Sequence, residues 1–371
     1  MLYAPEFHEP LTETPWSEAR ARDAAQAIVA DTERAYSAEA LWPAHEWDGF
    51  RSALPKKNFY VGASGVVWGL NRLRHRGYDA TLDLRASSQR ALELFRAAPD
   101  YVEGDLIPEQ KRSALLTGET GIALVAWQLD PTDVLESELL GLVRDNLANN
   151  VNDLMWGIPG TLLVARAMHA RTGAERWADA VSASESALRA EREPDGFWTQ
   201  RLWGEEWKGL SAIHGLVGNV VALGETGNAA EAIRGRATIE GGYANWGQGR
   251  LQWCVGAPGI VAHAASYLDE DLLLAAAELI FDAGPAGEEK GAGICHGTAG
   301  NGYALLKTFE RTQDERWLER ARAFAIHALE QTERLPPRYS LFTGSLGAAL
   351  FAADCIDGGA RYPVLDSLEP E

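Results

Sequence analysis

The sequence predicts an all-α protein made of repeated helix pairs, and three features of the chain support this prediction. A Gly-x-x-Gly tetrad recurs seven times at intervals of 39 to 58 residues, which leaves room for two helices and their connections. Each tetrad opens a run rich in small and apolar residues, and the alternation expected for strands is almost absent. Stacked helix pairs form an open solenoid or a closed ring, and the period alone favours neither.

The tetrads divide the chain into buried and half-exposed helices in regular order. The runs that follow them carry few charges, and a helix that is apolar on most faces is a buried helix. The segments between are amphipathic, as in residues 314–331, where apolar residues recur at three- and four-residue spacing. A sharp turn into a closely packed helix favours glycine, which lacks a side chain. In chain order the tetrads begin at Gly62, Gly118, Gly157, Gly215, Gly256, Gly297 and Gly344.

Composition and charge exclude several classes of protein. The chain has 371 residues, 46% hydrophobic and 23% charged, which excludes collagen-like and disordered chains. With 53 acidic and 34 basic residues the formal net charge is −19, so we expect no general binding of nucleic acid. The three cysteines are widely spaced, and we recognise neither a signal peptide nor an apolar stretch long enough for a membrane span. We therefore expect a cytoplasmic protein without membrane insertion.

Two of the three cysteines directly precede tetrads, and one has a histidine beside it. Cys254 lies in QWCVGAPG, and Cys295 and His296 lie in GAGICHGTAG. Thiolate and imidazole are preferred zinc ligands, and three protein ligands leave a fourth position for water or substrate. If equivalent loops meet at one end of the helical array, these two motifs become neighbours. The alternative is that both cysteines are inert core residues, which is how we interpret Cys355 inside GAALFAADCI.

Three further polar residues precede tetrads or the first cysteine. His214 directly precedes its tetrad, as His296 does, and is either a general acid/base or a loop histidine with a structural role. Asp153 lies four positions before its tetrad, and Arg250 four positions before Cys254. Near a metal they would orient an imidazole or bind a substrate carboxylate or phosphate; otherwise they are a helix cap and a solvated ion pair. We also interpret the Gly-rich residues 241–250 as an active-site loop.

Together these motifs resemble the lanthionine synthetase C-like family, which comprises the LanC cyclases and the LanC-like proteins. The resemblance covers about residues 59–356 and includes the seven tetrads, the WC-x-GAPG motif and the CHG-x-x-G motif. It implies an α/α toroid of seven inner and seven outer helices over residues 51–371, with residues 1–50 as an N-terminal segment packing on it. It also implies Zn²⁺ ligands at Cys254, Cys295 and His296, and catalytic residues at His214, Asp153 and Arg250.

The residues around these motifs indicate a branch of the family. KGAGICHG, with Lys290 five positions before Cys295, looks like the eukaryotic-type LanC-like proteins, in which the equivalent lysine contributes to the glutathione and phosphate-handling site. We therefore expect Lys290, together with Trp253 of the WC motif, to bind substrate. Val255 follows the first cysteine, where lantibiotic cyclases commonly carry Tyr and eukaryotic relatives His.

The resemblance implies zinc-dependent thioether formation by addition of a thiol to dehydroalanine or dehydrobutyrine. The thiol would come from a peptide cysteine or from glutathione, and the partner would be a peptide or protein containing dehydroamino acids. Two alternatives stay open. One is a LanC-like protein that binds zinc and glutathione or peptide without turnover. The other is a different α/α toroid enzyme, such as a zinc prenyltransferase or a glycosidase, whose usual site residues fit this chain less well.

Overall fold

The fold is a closed double ring of helices, as predicted. The computed structural model describes residues 2–48, 54–100, 112–202, 204–247 and 249–369, and fourteen α-helices lie within these ranges. Seven inner helices each begin directly after the first glycine of a tetrad, and seven outer helices alternate with them along the chain. The last inner helix packs against the first, so the ring is closed. The predicted boundary between residues 50 and 51 lies outside the described residues.

Each inner helix begins one residue after the first glycine of a tetrad, and the outer helices alternate with the inner ones along the chain. The inner helices are α2 (Ala63–His75), α4 (Glu119–Leu129), α6 (Ile158–Thr172), α8 (Leu216–Leu223), α10 (Ala257–Ala264), α12 (Thr298–Thr312) and α14 (Ser345–Asp357). The outer helices are α1 (Glu18–Arg34), α3 (Leu84–Ala97), α5 (Asp133–Asp145), α7 (Glu175–Ala190), α9 (Ala229–Arg234), α11 (Glu270–Ala283) and α13 (Glu315–Arg334). None of the helices in the described ranges combines the length and the apolar character needed to cross a bilayer.

The turns that precede the tetrads meet at one end of the ring. We call the six residues before each first glycine a tetrad loop and number these loops one to seven along the chain. Backbone hydrogen bonds join loop one to two, two to three, three to four, five to six, six to seven and seven to one. Between loops four and five the described residues form no such bond. The ring of loops is therefore open at one junction.

The N-terminal part of the chain completes the outer ring. Helix α1 packs against α13 and α14. Ahead of it, the backbone N–H of Ala4 donates to the carbonyl of Gly249 at 2.9 Å, and that of Thr12 donates to Nδ1 of His327 at 3.1 Å. Residues 2–48 thus contact the ring at several places, and the division of the chain at residue 50 stays a prediction.

Two short hairpins interrupt the helical pattern near the open junction. Strand β1 (Gln200–Leu202) pairs antiparallel with β2 (Glu205–Trp207), and β3 (Thr238–Glu240) with β4 (Tyr243–Asn245). The sequence showed almost no strand-type alternation, because strands of three residues are too short to display a period of two. These hairpins flank α8, which has eight residues, and α9, which is the shortest of the outer helices with six.

The C-terminal segment fills the middle of the ring. The carbonyl of Leu368 accepts hydrogen bonds from Trp68 of α2 at 2.8 Å and from Gln128 of α4 at 2.9 Å. Lys307 of α12 forms an ion pair with Asp366 at 2.9 Å. Because these partners come from three different inner helices, residues 358–369 occupy the space that the helices enclose.

Candidate metal centre

The three predicted metal ligands converge where loops five and six meet. The ligand atoms of Cys254, Cys295 and His296 all lie within 4.8 Å of one another, and Sγ of Cys295 lies 3.8 Å from Nε2 of His296. The cysteines are buried and the histidine is half-buried. Ligands held about 2.0–2.3 Å from one tetrahedral zinc ion are roughly 3.5–4 Å apart. The donor set therefore fits zinc after small side-chain adjustments and leaves one coordination position open.

The tetrad glycines explain why these loops approach each other. A Cβ added at Gly259 would lie 1.9 Å from the carbonyl oxygen of Trp253, and one at Gly300 would lie 2.1 Å from that of Ile294. Trp253 and Ile294 immediately precede the two cysteines, so only glycine allows the helix starts to pack this closely. In addition, the backbone N–H of Cys254 donates to the carbonyl of Cys295 at 3.4 Å. The motif that builds the ring thus also builds the site.

The two cysteines are joined by a hydrogen bond, and their pKa values shift in opposite directions. The hydrogen bond with Cys295 lowers the pKa of Cys254 well below its usual value; His296 and Gln252 add to this effect, and burial opposes it. Burial and the neighbouring Cys254 raise the pKa of Cys295 well above its usual value. A bound divalent cation would favour the thiolate form of both cysteines.

Sequence reasoning missed two residues that contact the sulfurs. The hydroxyl of Tyr60 donates to Sγ of Cys295 at 2.9 Å, and Nε2 of Gln252 donates to Sγ of Cys254 at 2.8 Å. Tyr60 lies two positions before its tetrad glycine, the same position that Cys254 and Cys295 occupy before theirs. Aligning the seven loops by their tetrads would have shown that Tyr60 faces the same point.

His214 and Asp153 form a second polar pair on neighbouring loops. Nδ1 of His214 lies 2.7 Å from Oδ2 of Asp153, whose side chain is fully buried. The other carboxylate oxygen accepts a hydrogen bond from the backbone N–H of Trp156 at 2.8 Å, and the Trp156 indole stacks on the imidazole. A carboxylate bonded to Nδ1 keeps a proton there, so that proton exchange takes place at Nε2. Trp156 is a further supporting residue that the sequence did not reveal.

A cavity of about 560 Å³ brings the two groups together. We call it the junction cavity, because it lies between loops four and five, where the ring of loops is open. Its walls include His214, Arg250, Cys254 and His296. The side chain of Arg250 is exposed and forms no ion pair with any described residue. Trp246 of the predicted active-site loop also lines this space.

The two residues expected to bind substrate lie away from this cavity. Trp253 has no exposed surface; its indole N–H donates to Nε2 of His263 at 2.8 Å, and its ring stacks on Tyr362. The Trp253 side chain therefore packs in the aromatic core, and a substrate-binding role for it stays a prediction. Lys290 lines a separate cavity of about 630 Å³, with its ammonium group 4.8 Å from the ring of Trp47. A substrate-binding role for Lys290 stays a prediction.

Comparison with protein families agrees with this architecture. The model for the family described as lanthionine synthetase C-like protein matches residues 17–367. The chain belongs to this family. The match begins just before α1, so this LanC-like family model includes the N-terminal outer helix as well as the tetrads.

Two similar proteins illustrate the range of the family. The LanC-like chain is 33% identical over 130 residues to a Danio rerio protein named glutathione S-transferase LANCL1, an alignment that spans 31% of each chain. Among solved structures it resembles nisin cyclase with a TM-score of 0.54 and 14% identity, over 91% of this chain and 94% of that one. At such low identity the likeness shows the fold, which is the helical toroid.

Proposed function

We propose that this protein binds one Zn²⁺ through Cys254, Cys295 and His296 and catalyses addition of a thiol to a dehydroalanine or dehydrobutyrine residue. One observation carries the proposal: the ligand atoms of Cys254, Cys295 and His296 lie within 4.8 Å of one another, and Cys254 and His296 line a cavity that His214 also lines. A thiolate-rich ligand set with an open position suits activation of a thiol. A histidine held by a carboxylate suits delivery of a proton.

The nucleophile in this reaction needs activation, because a free thiol with a pKa of about 8.5 is largely protonated at neutral pH. Zinc, when bound, supplies the positive charge that keeps an incoming thiol deprotonated. Cys254 and Cys295 neutralise that charge as thiolates, so the incoming sulfur keeps its nucleophilicity. Tyr60 and Gln252 orient the two ligand sulfurs through their hydrogen bonds.

The second half of the reaction is a proton transfer. The sulfur forms a bond to the β-carbon, the electron pair of the double bond moves toward the α-carbon and its carbonyl, and the thiol proton is released. His214 returns one proton to the α-carbon through Nε2, while Asp153 holds Nδ1 and stabilises the cation. The sum is addition of S–H across the double bond. Arg250 lies on the same cavity wall and stabilises the negative charge that develops on the carbonyl oxygen.

Two substrates fit this proposal. One is a peptide or protein that carries a dehydroamino acid, and the other is a thiol, either of a peptide cysteine or of glutathione. The names of the two relatives, a cyclase and a glutathione S-transferase, support this pair of thiols. If Lys290 also binds glutathione, it does so from the separate cavity that it lines. The proposed setting is the cytoplasm, where thiols stay reduced.

The metal is tested by elemental analysis of purified variants after loading with Zn²⁺. Wild type is expected to hold one zinc per chain, and Cys295→Ala to lose it, because two remaining ligands bind weakly. Cys355→Ala is the matched control, since Cys355 is buried inside α14 away from the site. Zinc-free wild type after loading, or equal zinc in Cys295→Ala, contradicts the proposal.

The reaction is tested with glutathione and a dehydroalanine peptide, with the adduct followed by mass spectrometry. His214→Ala is expected to keep its zinc and lose roughly 10²- to 10⁴-fold in rate, the usual contribution of a general acid. Asp153→Asn should lose rate as well, because it no longer stabilises the imidazolium. His75→Ala, an exposed histidine at the end of α2, is the control. Wild-type rates in His214→Ala would refute its role.

Binding without turnover is the second candidate, and Val255 favours it. Val255 lines the junction cavity beside Cys254 and offers no proton to a substrate. In this case glutathione would bind in a zinc-dependent manner, measurable by calorimetry, while no adduct forms with the peptide. An adduct that requires both zinc and His214 excludes this candidate.

A further inference from the structure

The walls of the junction cavity carry an unusual charge pattern for this protein. The chain has a formal net charge of −19, yet none of the described residues that line the cavity is Asp or Glu. Three basic side chains line it together with the histidines: Lys208, Arg236 and Arg250. A cavity with basic walls in an acidic protein attracts anionic groups and repels cationic ones.

Lys208 contributes little of this positive charge, because two carboxylates neutralise it. Its ammonium group lies 2.6 Å from Oε2 of Glu193 and 2.6 Å from Oδ2 of Asp195. Lys208 instead positions a neighbour, since its backbone carbonyl accepts a hydrogen bond from Nη1 of Arg236 at 2.9 Å. The charge available to a ligand therefore comes from Arg236 and Arg250.

Arg236 is held in place although it is exposed. Its guanidinium carbon lies 3.8 Å from the centre of the Phe197 ring, and Phe197 itself is buried. Stacking on an aromatic ring and a hydrogen bond to a carbonyl orient the planar group without neutralising it. Arg236 forms no ion pair with any described residue. Its charge contributes to lowering the pKa of the nearby Asp195, but the Asp195 carboxylate is bonded to Lys208. The guanidinium keeps donors for an incoming carboxylate.

The geometry points to Arg236 as a specificity-determining residue that binds a carboxylate on the dehydroamino acid substrate. The inference rests on the proposed thiol addition. A cavity of about 560 Å³ is roughly 8 Å across if it is treated as a cube, and an extended peptide advances about 3.3 Å per residue, so about two or three residues fit across it. The carboxylate would therefore belong to an Asp or Glu next to the reacting residue, or one position further. Trp207 and Trp246, which also line the cavity, would pack against its apolar part.

The test compares three matched peptides in which one dehydroalanine is flanked on both sides by Glu, by Gln or by Lys. Zinc-loaded wild type is expected to favour the Glu peptide over the Gln peptide by about 10- to 30-fold in kcat/KM. This is the lower end of the range for a hydrogen bond to a charged group, because Arg236 is exposed. The Lys peptide should react most slowly. Added salt should reduce the preference, because screening weakens partly exposed ion pairs.

The variants assign the preference to one residue. Arg236→Gln should bring the Glu-to-Gln ratio close to one, and Arg236→Lys should restore part of it. Arg192→Gln is the matched control, because Arg192 lies 5.1 Å from the Trp198 ring in a similar stacking arrangement but does not line the cavity. Equal rates for the three peptides with wild type overturn the inference, and so does an unchanged preference in Arg236→Gln.

A binding assay separates this inference from the proposed function. Fluorescent peptides with Ala in place of dehydroalanine cannot react, and their anisotropy measures affinity alone. If wild type binds the Glu peptide more tightly and Arg236→Gln removes this preference, the inference is supported. If wild type also forms no adduct with any peptide, the proposed reaction is refuted while the inference stands. A phosphoserine-flanked Ala peptide checks the source of the anion: its selection without any preference for Glu over Gln overturns the assignment to a carboxylate.

Discussion

Replacing Gly300 with Ala tests whether the tetrad glycines build the metal centre. Gly300 is the second glycine of the sixth tetrad, and a Cβ there would lie 2.1 Å from the carbonyl oxygen of Ile294. Real Cβ atoms essentially never come closer than 3.0 Å to such an atom. Since the obstacle is backbone, the loop that carries Cys295 and His296 must move away by at least about 0.9 Å.

The expected effects follow from this displacement. Overpacking of a tight core costs about 1–3 kcal/mol, and a backbone obstacle places Gly300→Ala near the upper end. With an unfolding entropy of about 2.1 cal/mol/K per residue, 2–3 kcal/mol corresponds to a fall in Tm of roughly 3–4 °C. Zinc ligation tolerates about 0.2 Å in ligand distances, so zinc affinity should fall at least about 10-fold.

The assay measures Tm of the zinc-free protein and zinc affinity against a competing chelator. Gly141→Ala is the matched control, because Gly141 lies within α5 and an added Cβ there meets nothing within 4 Å. It should stabilise the protein by about 0.5–1 kcal/mol through helix propensity and leave zinc affinity unchanged. A Gly300→Ala protein with wild-type Tm and zinc affinity would show that the close approach of helix and loop does not determine the site.

Two further predictions concern groups that support the site. Tyr60→Phe removes the hydrogen bond to Sγ of Cys295 and should weaken zinc binding by about 10-fold without losing the metal. Tyr243→Phe is the control: it loses a hydrogen bond to Asp282 of α11 and should leave zinc affinity unchanged. Equal affinities in all three proteins would contradict the role of Tyr60. Burial, with a smaller contribution from Lys307, holds the pKa of His263 well below 6.5. The unfolded chain then binds a proton that the native protein does not, so stability falls as the pH drops below 6.5; at pH 5.5 this residue contributes at most about 1.4 kcal/mol to the loss. Urea unfolding at pH 7.5 and 5.5 should show a smaller loss for His263→Gln than for wild type, and an identical loss would refute the assignment.

The sequence was most informative where the chain repeats itself. Seven tetrads predicted seven buried helices, because the same close contact between a helix start and the preceding loop demands glycine each time. The resemblance to the family predicted that the ring is closed, which the intervals between the tetrads could not predict. The outer helix α1 has no tetrad before it, so periodicity did not reveal it as a member of the ring.

The candidate site was predictable as far as its residues share the repeat. Cys254, Cys295, His296 and His214 lie in loops before tetrads. The structure groups the first three, and Cys254, His296 and His214 line one cavity. Trp253 and Lys290 were assigned to substrate by motif and resemblance alone. A motif shows which residues are near in sequence but not which way they face: Trp253 points into the aromatic core, and Lys290 into another cavity.

What the repeat could not predict is the irregular part, and the junction cavity depends on it. Backbone hydrogen bonds close six of the seven loop junctions, and among the described residues the junction between loops four and five lacks one. Here α8 and α9 are short, and two hairpins flank them. Trp207, Arg236 and Trp246 lie in or beside these hairpins and line the cavity beside Cys254. The candidate metal ligands and the proposed proton donor thus come from regular positions of the ring, while the hairpins and the residues beside them line the space proposed for the substrate. Substrate choice in this chain should therefore respond to substitutions in residues 195–208 and 236–246 that leave zinc binding unchanged. Substitutions in the tetrads should change zinc binding instead.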